Sequence, residues 1–474
     1  MATTTAPITT RRTPTITTTM SEWAAHLQFE DLSPDAVYQA KRFLLDSIGC
    51  ALGGYRQHDV IIALKVLNEI AGPGKATVIG SGKRIDPVSA GLANALMIRC
   101  MDYNDIYWKQ DPCHPSDIFP AAIAGCERAG SDGRELIVGL VLGHEFEMRL
   151  CEAAFPGIRE RGWHHATLTA FVSPIVAGRM LRLTPDQIQH AIGISASARA
   201  TLGAVTAGKL TMMKNTVDPL ATQSGILAAL LAEKGYTGPE HVIDGKEGLA
   251  HCLGPQWRLD VLTDGLGESW RITQCGMKAF PTEALTHTPI SAVLALVRDH
   301  DLAPNDIAKV HIRTTTRGAD ILSDPSKYDP HTKETADHSL PYVIAAAIVE
   351  HQVTPVQFTP EKLAHRLIRE QLKKIVVTAD PEIEKVFPEL QRVIVRIHTI
   401  DGREFMQQLD YPKGDPRNPL TDSDLEEKFE ALSGPVMSHD ACRRAIHAIW
   451  NLDRQPSVSE LMKLFQADRR VAKR

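Results

Sequence analysis

The sequence lacks the features of disulfide-rich, membrane-spanning and nucleic-acid-binding proteins. Its eight cysteines include no Cys-x-x-Cys pair and lie in apolar stretches, so we expect buried free thiols in a reducing compartment. That spacing also excludes structural zinc and iron–sulfur ligation. No window approaches the ~20 apolar residues of a membrane helix. The 52 basic and 57 acidic side chains give a formal charge of −5, without the basic excess that nucleic-acid binding requires.

The composition is that of an ordinary globular protein. Hydrophobic residues make up 43% and charged residues 23% of the 474 positions, which excludes the signature of intrinsic disorder for most of the chain. At roughly 100–200 residues per domain, the length allows two or three packed units. We find no internal repeat, no P-loop and no nucleotide-binding glycine fingerprint. A nucleotide cofactor is therefore not expected.

The first twenty residues contain no acidic side chain, many threonines and two arginines. They lack the apolar core of a secretory signal, so we expect residues 1–20 to form a disordered tail. Acid-poor, hydroxyl-rich segments are also typical of mitochondrial presequences, but Arg11 and Arg12 alone give a small basic face. We expect a cytoplasmic protein, with a mitochondrial location as the alternative for a eukaryotic source.

From Ser21 to about Ser269, apolar residues recur mostly with the period of a helix. A capping hydroxyl precedes proline at Ser33-Pro34 and at Thr184-Pro185, as it does where helices begin. Alanine and glycine are frequent, which allows helices to approach closely in a large bundle. The clearest predicted helical segments are Ala40–Leu52, Arg134–Leu150, Gln187–Ala198 and Val217–Leu231.

After Trp270 the pattern changes to segments with a two-residue period, which alternate with helical ones. An α/β or α+β unit is the simplest interpretation. From Asp422 the helical period returns, so we expect the last stretch to pack on the first domain and make that domain discontinuous. The predicted strands include Val310 with Ile312, Ile375 to Val377, and Val393, Val395 and Ile397 before a turn at Asp401-Gly402.

The segment 100–117 has the most unusual combination of chemical groups. Asp102 and Asp105 are three positions apart and would share one face of a helix. The proline-bounded His114 follows, and histidine with carboxylate is what general acid–base catalysis needs. The alternative is structural, with Asp102 capping one helix and the Ser-Asp pair at 116–117 capping the next. The spacing alone supports both interpretations equally.

Other polar residues stand in apolar or small-residue surroundings. His164 and His165 are adjacent, and neighbours on a helix point in different directions, so we expect at most one to face the site of the preceding segment. They also lack the i, i+4 spacing of a metal pair. Lys214 and Lys278, taken alone, would be surface residues. The polar loop 333–342 leads into an apolar helix and fits an ordinary capped helix start.

Five ordered blocks resemble the MmgE/PrpD family, which contains 2-methylcitrate dehydratases and cis-aconitate decarboxylases. The likeness extends over nearly the whole chain after Met20. The blocks are Asp-Tyr-Asn-Asp at 102–105, His-Pro-Ser-Asp at 114–117, Gly-Trp-His-His at 162–165, Met-Lys-Ala-Phe-Pro at 277–281 and Ala-Asp-His-Ser-Leu-Pro-Tyr at 336–342.

The resemblance implies an α plus α/β fold class, in which a large, discontinuous all-helical domain carries a smaller inserted α/β lid. This agrees with the two changes of period along the chain. We therefore divide the chain into a tail (1–20), a helical domain (21–272), a lid (273–412) and helices that return to the helical domain (413–474). The resemblance also implies a homodimer without metal or cofactor, which binds a small tricarboxylate in the cleft between helical domain and lid.

Carried over by motif, the family's site falls on residues already singled out. We expect His114 and one of His164 and His165 to divide the acid and base roles. Asp102 would orient His114 and raise its basicity, and Tyr342 would donate a hydrogen bond or proton from the lid. The predicted catalytic set is Asp102, His114, His164, His165, Lys278 and Tyr342, and the predicted substrate-binding set is Asp105, Ser116, Lys214 and His338.

Two branches of the family compete for this chain. Asp-x-Asn-Asp followed by His-Pro-Ser-Asp resembles the dehydratase branch more closely, whereas the animal decarboxylase has glycine after His-Pro-Ser. The histidine register fits His165 on the dehydratase pattern and His164 on the decarboxylase pattern. Ile106, Cys113 and Ile118 stand where threonine, glycine and asparagine are usual, so we expect a different pocket for the acyl or alkyl part of the substrate.

The leading expectation is a hydro-lyase that dehydrates 2-methylcitrate, or a longer alkylcitrate, to the corresponding aconitate. A tricarboxylate carries about three negative charges at neutral pH, and desolvating it requires cations such as Lys214 and Lys278. Decarboxylation of cis-aconitate to itaconate is the alternative, and isomerisation or epimerisation of a small polycarboxylate is a further family activity. An alternative of another class, indicated by Ile106 and Cys113, is a catalytically degenerate family member that binds a carboxylate without turnover.

Overall fold

The helices of the N-terminal part begin where the sequence supplies a cap. Ser33, Asp86 and Thr184 each accept a hydrogen bond from a backbone N–H of the first turn, and proline follows each of them. The structure, a computed structural model, describes residues 14–155, 157–207, 210–254 and 256–468. The helices of this part are α1 (Ile16–His26), α2 (Pro34–Gly54), α3 (His58–Ile70), α4 (Pro87–Arg99), α5 (Phe119–Ala129), α6 (Gly133–Ala153), α7 (Ala166–Met180), α8 (Pro185–Ala198), α9 (Val217–Glu233) and α10 (Leu249–Leu253).

The helix α1 corrects the boundary of the predicted tail. Thr15 caps this helix, Thr17 and Met20 are buried, and the Thr18 hydroxyl donates to Gln189 Oε1 at 2.7 Å. Residues 16–20 are therefore helical, because their threonines pack and bond rather than remain in solvent. Residues 1–13, with the expected disorder and the alternative presequence, lie outside the described residues.

Short strands connect the helices near the site. They are β1 (Pro73–Thr77), β2 (Arg84–Ile85), β3 (Asp105–Trp108), β4 (Pro112–Cys113) and β5 (Gly276–Met277). The strand β3 pairs antiparallel with both β4 and β5. The expectation that Asp102 and Asp105 share a helical face was wrong, because Asp102 lies in a turn and Asp105 begins β3, paired with Met277.

The lid is built on a four-stranded sheet with the order β7-β6-β8-β9. The strands β6 and β7 are parallel, and the other two pairs are antiparallel. Its predicted strands are confirmed, and the alternating residues of β6 and β8 enter the lid core with α11 and α14. The lid elements are α11 (His287–Asp299), β6 (Ile307–Thr314), α12 (Thr316–Leu322), α13 (Lys333–Ala336), α14 (Leu340–Glu350), α15 (Pro360–Leu363), α16 (Arg366–Leu372), β7 (Ile375–Ala379), α17 (Pro381–Glu384), β8 (Val393–Thr399) and β9 (Glu404–Leu409).

The C-terminal helices return to the helical domain. They are α18 (Asp422–Ser433), α19 (His439–Trp450) and α20 (Val458–Met462). Both α18 and α19 contact α2, and Leu425, Phe429 and Ile449 are buried in the core of the helical domain. The predicted α plus α/β fold class is therefore confirmed, whereas the exact domain boundaries stay a prediction.

All eight cysteines are free and seven are buried, but Cys252 is exposed. Within the described ranges, no helix combines the length and the apolar character needed to cross a membrane.

Candidate active site

A cleft lies between the helical domain and the lid. Its empty volume, which includes space open to solvent, is about 590 Å³. On the lid side, α12 and the segments that carry Lys327 and His338 close it. Seven of the ten predicted site residues line this cleft: Asp102, His114, His164, His165, Lys214, Lys278 and His338.

The carboxylate of Asp102 forms ion pairs with three cations of the cleft. Its carboxylate lies 2.8 Å from Lys278 Nζ and 3.0 Å from Lys214 Nζ, and it also pairs with Arg99. Its φ of 52° is left-handed, a conformation that aspartate tolerates better than most residues. This turn lets Lys278 Nζ donate to both the main-chain carbonyl, at 3.1 Å, and the carboxylate. Burial by itself raises the pKa of Asp102, but the surrounding cations hold that pKa well below its ordinary value.

The two lysines differ in how their ammonium groups are bonded. Lys278 Nζ also donates to the carbonyl of Thr282 at 3.0 Å. Lys214 Nζ forms an ion pair with Asp102 but makes no aligned hydrogen bond among the described residues. Burial lowers the pKa of Lys278, and burial lowers the pKa of Lys214 to about 8. Lys214 therefore presents a proton donor that can give up its proton near neutral pH.

His114 has the geometry of a general base. Its Nδ1 lies 2.6 Å from the main-chain carbonyl oxygen of Asp105, and a carbonyl only accepts, so Nδ1 carries the proton and Nε2 keeps its lone pair. Burial, with help from the nearby Arg99 and Lys278, lowers the pKa of His114 well below its ordinary value. The ring is therefore neutral at pH 7. The expectation that Asp102 orients this ring is corrected, because the backbone of β3 does so.

Asp105 and Ser116 stand behind His114 and not in the cleft. The Asp105 carboxylate accepts hydrogen bonds from Ser116 N at 2.9 Å and from Ser116 Oγ at 2.6 Å, and both residues are fully buried. Neither lines the cleft. Their predicted role in substrate binding is corrected: the carboxylate fixes the strand whose carbonyl holds His114.

His164 and His165 both line the cleft, in contrast to the expectation that at most one would. His165 is the N-cap of α7 and His164 precedes it, so no helical turn separates them, and their ring centroids lie 3.9 Å apart. His165 Nε2 lies 3.5 Å from Asp218 Oδ2, and its ring centroid is 5.3 Å from that of His114. Burial lowers the pKa of His164 and of His165. Both rings are therefore neutral at pH 7.

The lid supplies His338 and not Tyr342. The Tyr342 hydroxyl donates to the carbonyl of Gln357 at 2.5 Å inside the lid core, and the residue is fully buried away from the cleft. The expectation that it donates to the substrate is corrected, because its only proton is already bonded. His338 faces the cleft, with Nδ1 2.6 Å from Asp337 Oδ1. Burial, together with Lys214, lowers the pKa of His338 to about 4.

Several cleft residues carried no recognisable signal in the sequence. Arg99 could have been found, because it precedes Asp102 by three positions at the end of α4. Glu283, Lys327 and Arg159 stand in segments without periodicity or motif. Together with the predicted residues they give the described lining five cationic side chains and two carboxylates, a formal excess of three positive charges. The cations are Arg99, Arg159, Lys214, Lys278 and Lys327, and the carboxylates are Asp102 and Glu283.

Among the residues that the structure describes, two groups of three buried side chains place possible metal-ligand atoms within 4.8 Å of one another. The first group is His164, His165 and Asp218, of which the two histidines line the cleft. The second group is Asp105, His144 and Cys275. In the second group, Asp105 already accepts two hydrogen bonds from Ser116. The prediction of a site without metal or cofactor stays a prediction.

The cleft combines five cationic side chains with histidines that can exchange protons. The MmgE/PrpD N-terminal domain matches residues 18–261, and the MmgE/PrpD C-terminal domain matches residues 280–454. The chain belongs to the MmgE/PrpD family. The resemblance on which the site residues were predicted is therefore confirmed.

Relatives of two kinds match most of the chain. The cis-aconitate decarboxylase-like protein oryM of Aspergillus oryzae is 27% identical, over 96% of this chain and 98% of its own length. Human cis-aconitate decarboxylase is 26% identical, over 93% and 92%. The 2-methylcitrate dehydratase of Salmonella typhimurium is 24% identical, over 82% and 84%. The identities to the two kinds of relatives are about equal, whereas the decarboxylases named here match over a larger share of the chain.

Proposed function

We propose that this protein is a hydro-lyase that dehydrates 2-methylcitrate or a related 2-alkylated citrate, without a cofactor. The observation that carries the proposal is the hydrogen bond from His114 Nδ1 to the Asp105 carbonyl. It leaves a neutral imidazole with a free Nε2 lone pair in a cleft that also holds the ammonium of Lys214. A base and an acid in one cleft are what the elimination of water requires.

The proposed step moves two protons in opposite directions. His114 Nε2 takes the proton from the carbon next to a carboxylate, and the electron pair of that C–H bond forms the C=C bond as the C–O bond breaks. Lys214 gives its proton to the departing hydroxide, so water leaves. We assign the acid to Lys214, with its pKa of about 8, because His164 and His165 are neutral and a neutral imidazole is a poor acid.

The cations of the cleft match the charge of the substrate. A tricarboxylate brings about three negative charges, and the lining residues include more cations than carboxylates. Lys278 is fixed by bonds to Asp102 and Thr282, so it is preorganised beside the carboxylate on which charge increases as the C–H bond breaks. Preorganised cations of this kind lower the barrier more than mobile ones.

Decarboxylation of cis-aconitate is a second candidate. Relatives matched over 93% to 95% of the chain have decarboxylase names, including human cis-aconitate decarboxylase. That reaction needs cations to hold a carbanion and one proton donor, which Lys214 and Lys278 supply, but it needs no base. Because the cleft contains a base in the correct tautomer, we propose dehydration first.

An assay of the purified protein with 2-methylcitrate, citrate and cis-aconitate separates these functions. Dehydration produces the ultraviolet absorbance of an aconitate, and decarboxylation releases carbon dioxide. We expect dehydration, and we expect His114→Gln to lower kcat by about 10²- to 10⁴-fold, because a general base is removed.

His439→Gln is the matched control, since this histidine is 68% exposed and lies outside the cleft. It should leave kcat unchanged. Release of carbon dioxide without dehydration would replace the proposal by the second candidate. Tight binding of 2-methylcitrate with no turnover of any compound would favour a degenerate carboxylate-binding protein. The homodimer and the cytoplasmic location stay predictions that this assay does not address.

A further inference from the structure

Two of the five cations that line the cleft have no part in the proposed proton transfers or in the ion pairs of Asp102. Arg159 lies on a single helical turn of the helical domain, Ile158–Arg161, and Lys327 lies on a turn of the lid, Pro325–Tyr328. The cations that pair with Asp102 are Arg99, Lys214 and Lys278. Arg159 and Lys327 are therefore the cations whose charge this carboxylate does not balance.

Lys327 is a buried ammonium without a close partner. Its side chain is 4% exposed, and its Nζ lies 3.9 Å from Asp324 Oδ2, which is beyond hydrogen-bond distance. The other carboxylate oxygen of Asp324 accepts hydrogen bonds from the backbone N–H and the hydroxyl of Ser326. Burial of an ammonium is costly unless the group is paired and hydrogen-bonded. An anion bound in the cleft would recover this cost.

The guanidinium of Arg159 also forms no ion pair among the described residues. The acids around it are engaged elsewhere: Glu160 pairs with Arg317 of α12. Asp111 accepts hydrogen bonds from backbone N–H groups of the turn that carries Arg159, at 2.6 and 3.4 Å, and Glu283 accepts one from another backbone N–H at 2.7 Å. Burial, with the positive charge of Arg317, lowers the pKa of Arg159. The surrounding acids therefore do not compensate its charge.

The two cations come from opposite sides of the cleft, one from the helical domain and one from the lid. The Ser339 hydroxyl, at the start of α14, donates to the Lys327 carbonyl at 2.5 Å, which fixes the position of this turn. The ion pair between Glu160 and Arg317 joins the turn that carries Arg159 to α12. An anion bound by both cations would therefore strengthen a contact between the helical domain and the lid that is already present.

We propose that Arg159 and Lys327 form a carboxylate subsite that selects tricarboxylates over dicarboxylates. The inference rests on the proposed function, in which Lys278 lies beside the carboxylate next to the reacting C–H bond. The subsite binds the carboxylate farthest from that bond, where two otherwise unpaired cations gain charge-assisted hydrogen bonds. A dicarboxylate without this arm leaves both cations unpaired, so the cost of their burial is not recovered.

Two unreactive ligands that differ by one carboxyl group test the subsite. Tricarballylate has three carboxylates and no hydroxyl to eliminate, and 2-methylsuccinate is the same molecule with one terminal carboxyl group replaced by hydrogen. Calorimetry with the purified protein gives a Kd for each. We expect tricarballylate to bind about 10- to 100-fold more tightly, because hydrogen bonds to charged groups are among the strongest in proteins. Equal Kd values would overturn the inference.

Single variants assign this preference to the two cations. Arg159→Gln and Lys327→Met should each weaken tricarballylate binding about tenfold or more and 2-methylsuccinate binding less than about threefold. Arg298→Gln and Lys234→Met are the matched controls, since both positions are 76% exposed and lie outside the cleft. They remove the same charge and should keep the preference. An equal loss for both ligands, or a selective loss in only one of the two cleft variants, contradicts the subsite.

Turnover distinguishes failure of this inference from failure of the proposed function. If 2-methylcitrate is not dehydrated, the proposed function is wrong, but the ratio of the two Kd values still decides on the subsite. If it is dehydrated, both cleft variants should raise KM at least about tenfold and change kcat less than about threefold, because neither side chain acts on the reacting bond. A fall in kcat with an unchanged KM would contradict the inference. Urea unfolding checks that each variant is folded, and Lys327→Gln, which keeps a polar end, replaces Lys327→Met if the latter does not fold.

Discussion

At the scale of single residues, the cleft is governed by a balance between burial and charge. Burial shifts ionisable groups towards their neutral forms, and this keeps His114 available as a base and brings the pKa of Lys214 to about 8. Asp102 opposes this effect, because its negative charge raises the pKa of Lys214 and the pKa of Lys278. Without this carboxylate the pKa of each lysine would be lower, and the cleft would attract a polyanion less strongly.

The pH dependence of the reaction follows from these shifts. Catalysis requires Lys214 protonated and His114 neutral, so kcat/KM is constant between an acidic limb and pH 8, and it falls tenfold per pH unit above the Lys214 pKa of about 8. The acidic limb lies below the ordinary histidine pKa, because the pKa of His114 is lowered. Lys214→Arg keeps the positive charge but cannot release a proton. It should abolish the limb near pH 8 and reduce kcat at least about 10²-fold.

The comparison for this measurement is Lys463→Arg, at a lysine that is 55% exposed in a surface ion pair. Its pH profile should coincide with that of the wild type. If the alkaline limb persists near pH 8 in Lys214→Arg, another group supplies the proton.

At the scale of secondary structure, the short strand β3 determines which side chains reach the cleft. It turns Asp105 inward, where Ser116 holds the carboxylate, while the Asp105 carbonyl holds the ring of His114. Ile106 and Trp108 of the same strand line the cleft. A strand of four residues thus supports the base and contributes two apolar side chains to the lining of the cleft.

Ser116→Ala tests whether this support matters for catalysis. The change removes the 2.6 Å hydrogen bond from Ser116 Oγ to Asp105 but leaves the backbone bond, so the carbonyl that orients His114 is held less firmly. We expect kcat to fall about tenfold with KM nearly unchanged, and the free energy of unfolding to fall by about 1–3 kcal/mol. Steady-state kinetics and urea unfolding give both values.

Ser47→Ala provides the matched buried serine, because its hydroxyl donates to the Phe43 carbonyl within α2. It should lose a similar amount of stability while kcat stays the same. An equal loss of kcat in both variants would mean that Ser116 acts only through general stability.

The helices and lid strands could be predicted from the sequence, but the supports of the site could not. Segments such as Val217–Glu233 have a periodic pattern over many residues, and Ser33 and Thr184 mark helix starts by a cap before proline. The strand β3 is too short for a pattern, and its partner β5 lies far away in the sequence. The helical face expected for Asp102 and Asp105 was wrong because tertiary pairing decided their conformation.

Placement of single side chains shows the same limit. Motif resemblance located Lys214 and Lys278, which composition alone would put on the surface, because the family pattern contains information about distant contacts. It could not show that the Tyr342 hydroxyl bonds to the Gln357 carbonyl, nor that Arg159 enters the cleft. Those facts depend on which neighbours the folded chain provides.

At the scale of the whole molecule, the C-terminal segment supports the chain segments that carry the site residues. Lys428 of α18 donates to the carbonyl of Tyr103 at 2.7 Å and to that of Lys278 at 2.8 Å, and its ammonium lies 3.8 Å from the centre of the Tyr103 ring. Asp46 of α2 pairs with it at 2.6 Å. One buried cation thus joins the C-terminal helix, α2 and the two chain segments that carry Asp102 and Lys278.

Replacing Lys428 separates this role from stability. Lys428→Met leaves the Asp46 charge buried and unpaired, so the free energy of unfolding should fall by about 3–5 kcal/mol, and kcat should fall as well. The double variant Asp46→Asn with Lys428→Met removes both charges and should regain most of the stability, since a neutral pair avoids the cost of desolvating ions. It cannot regain the bonds to the Tyr103 and Lys278 carbonyls. Its kcat should therefore stay at least about tenfold low, whereas recovery of both stability and kcat would show that Lys428 serves the fold alone.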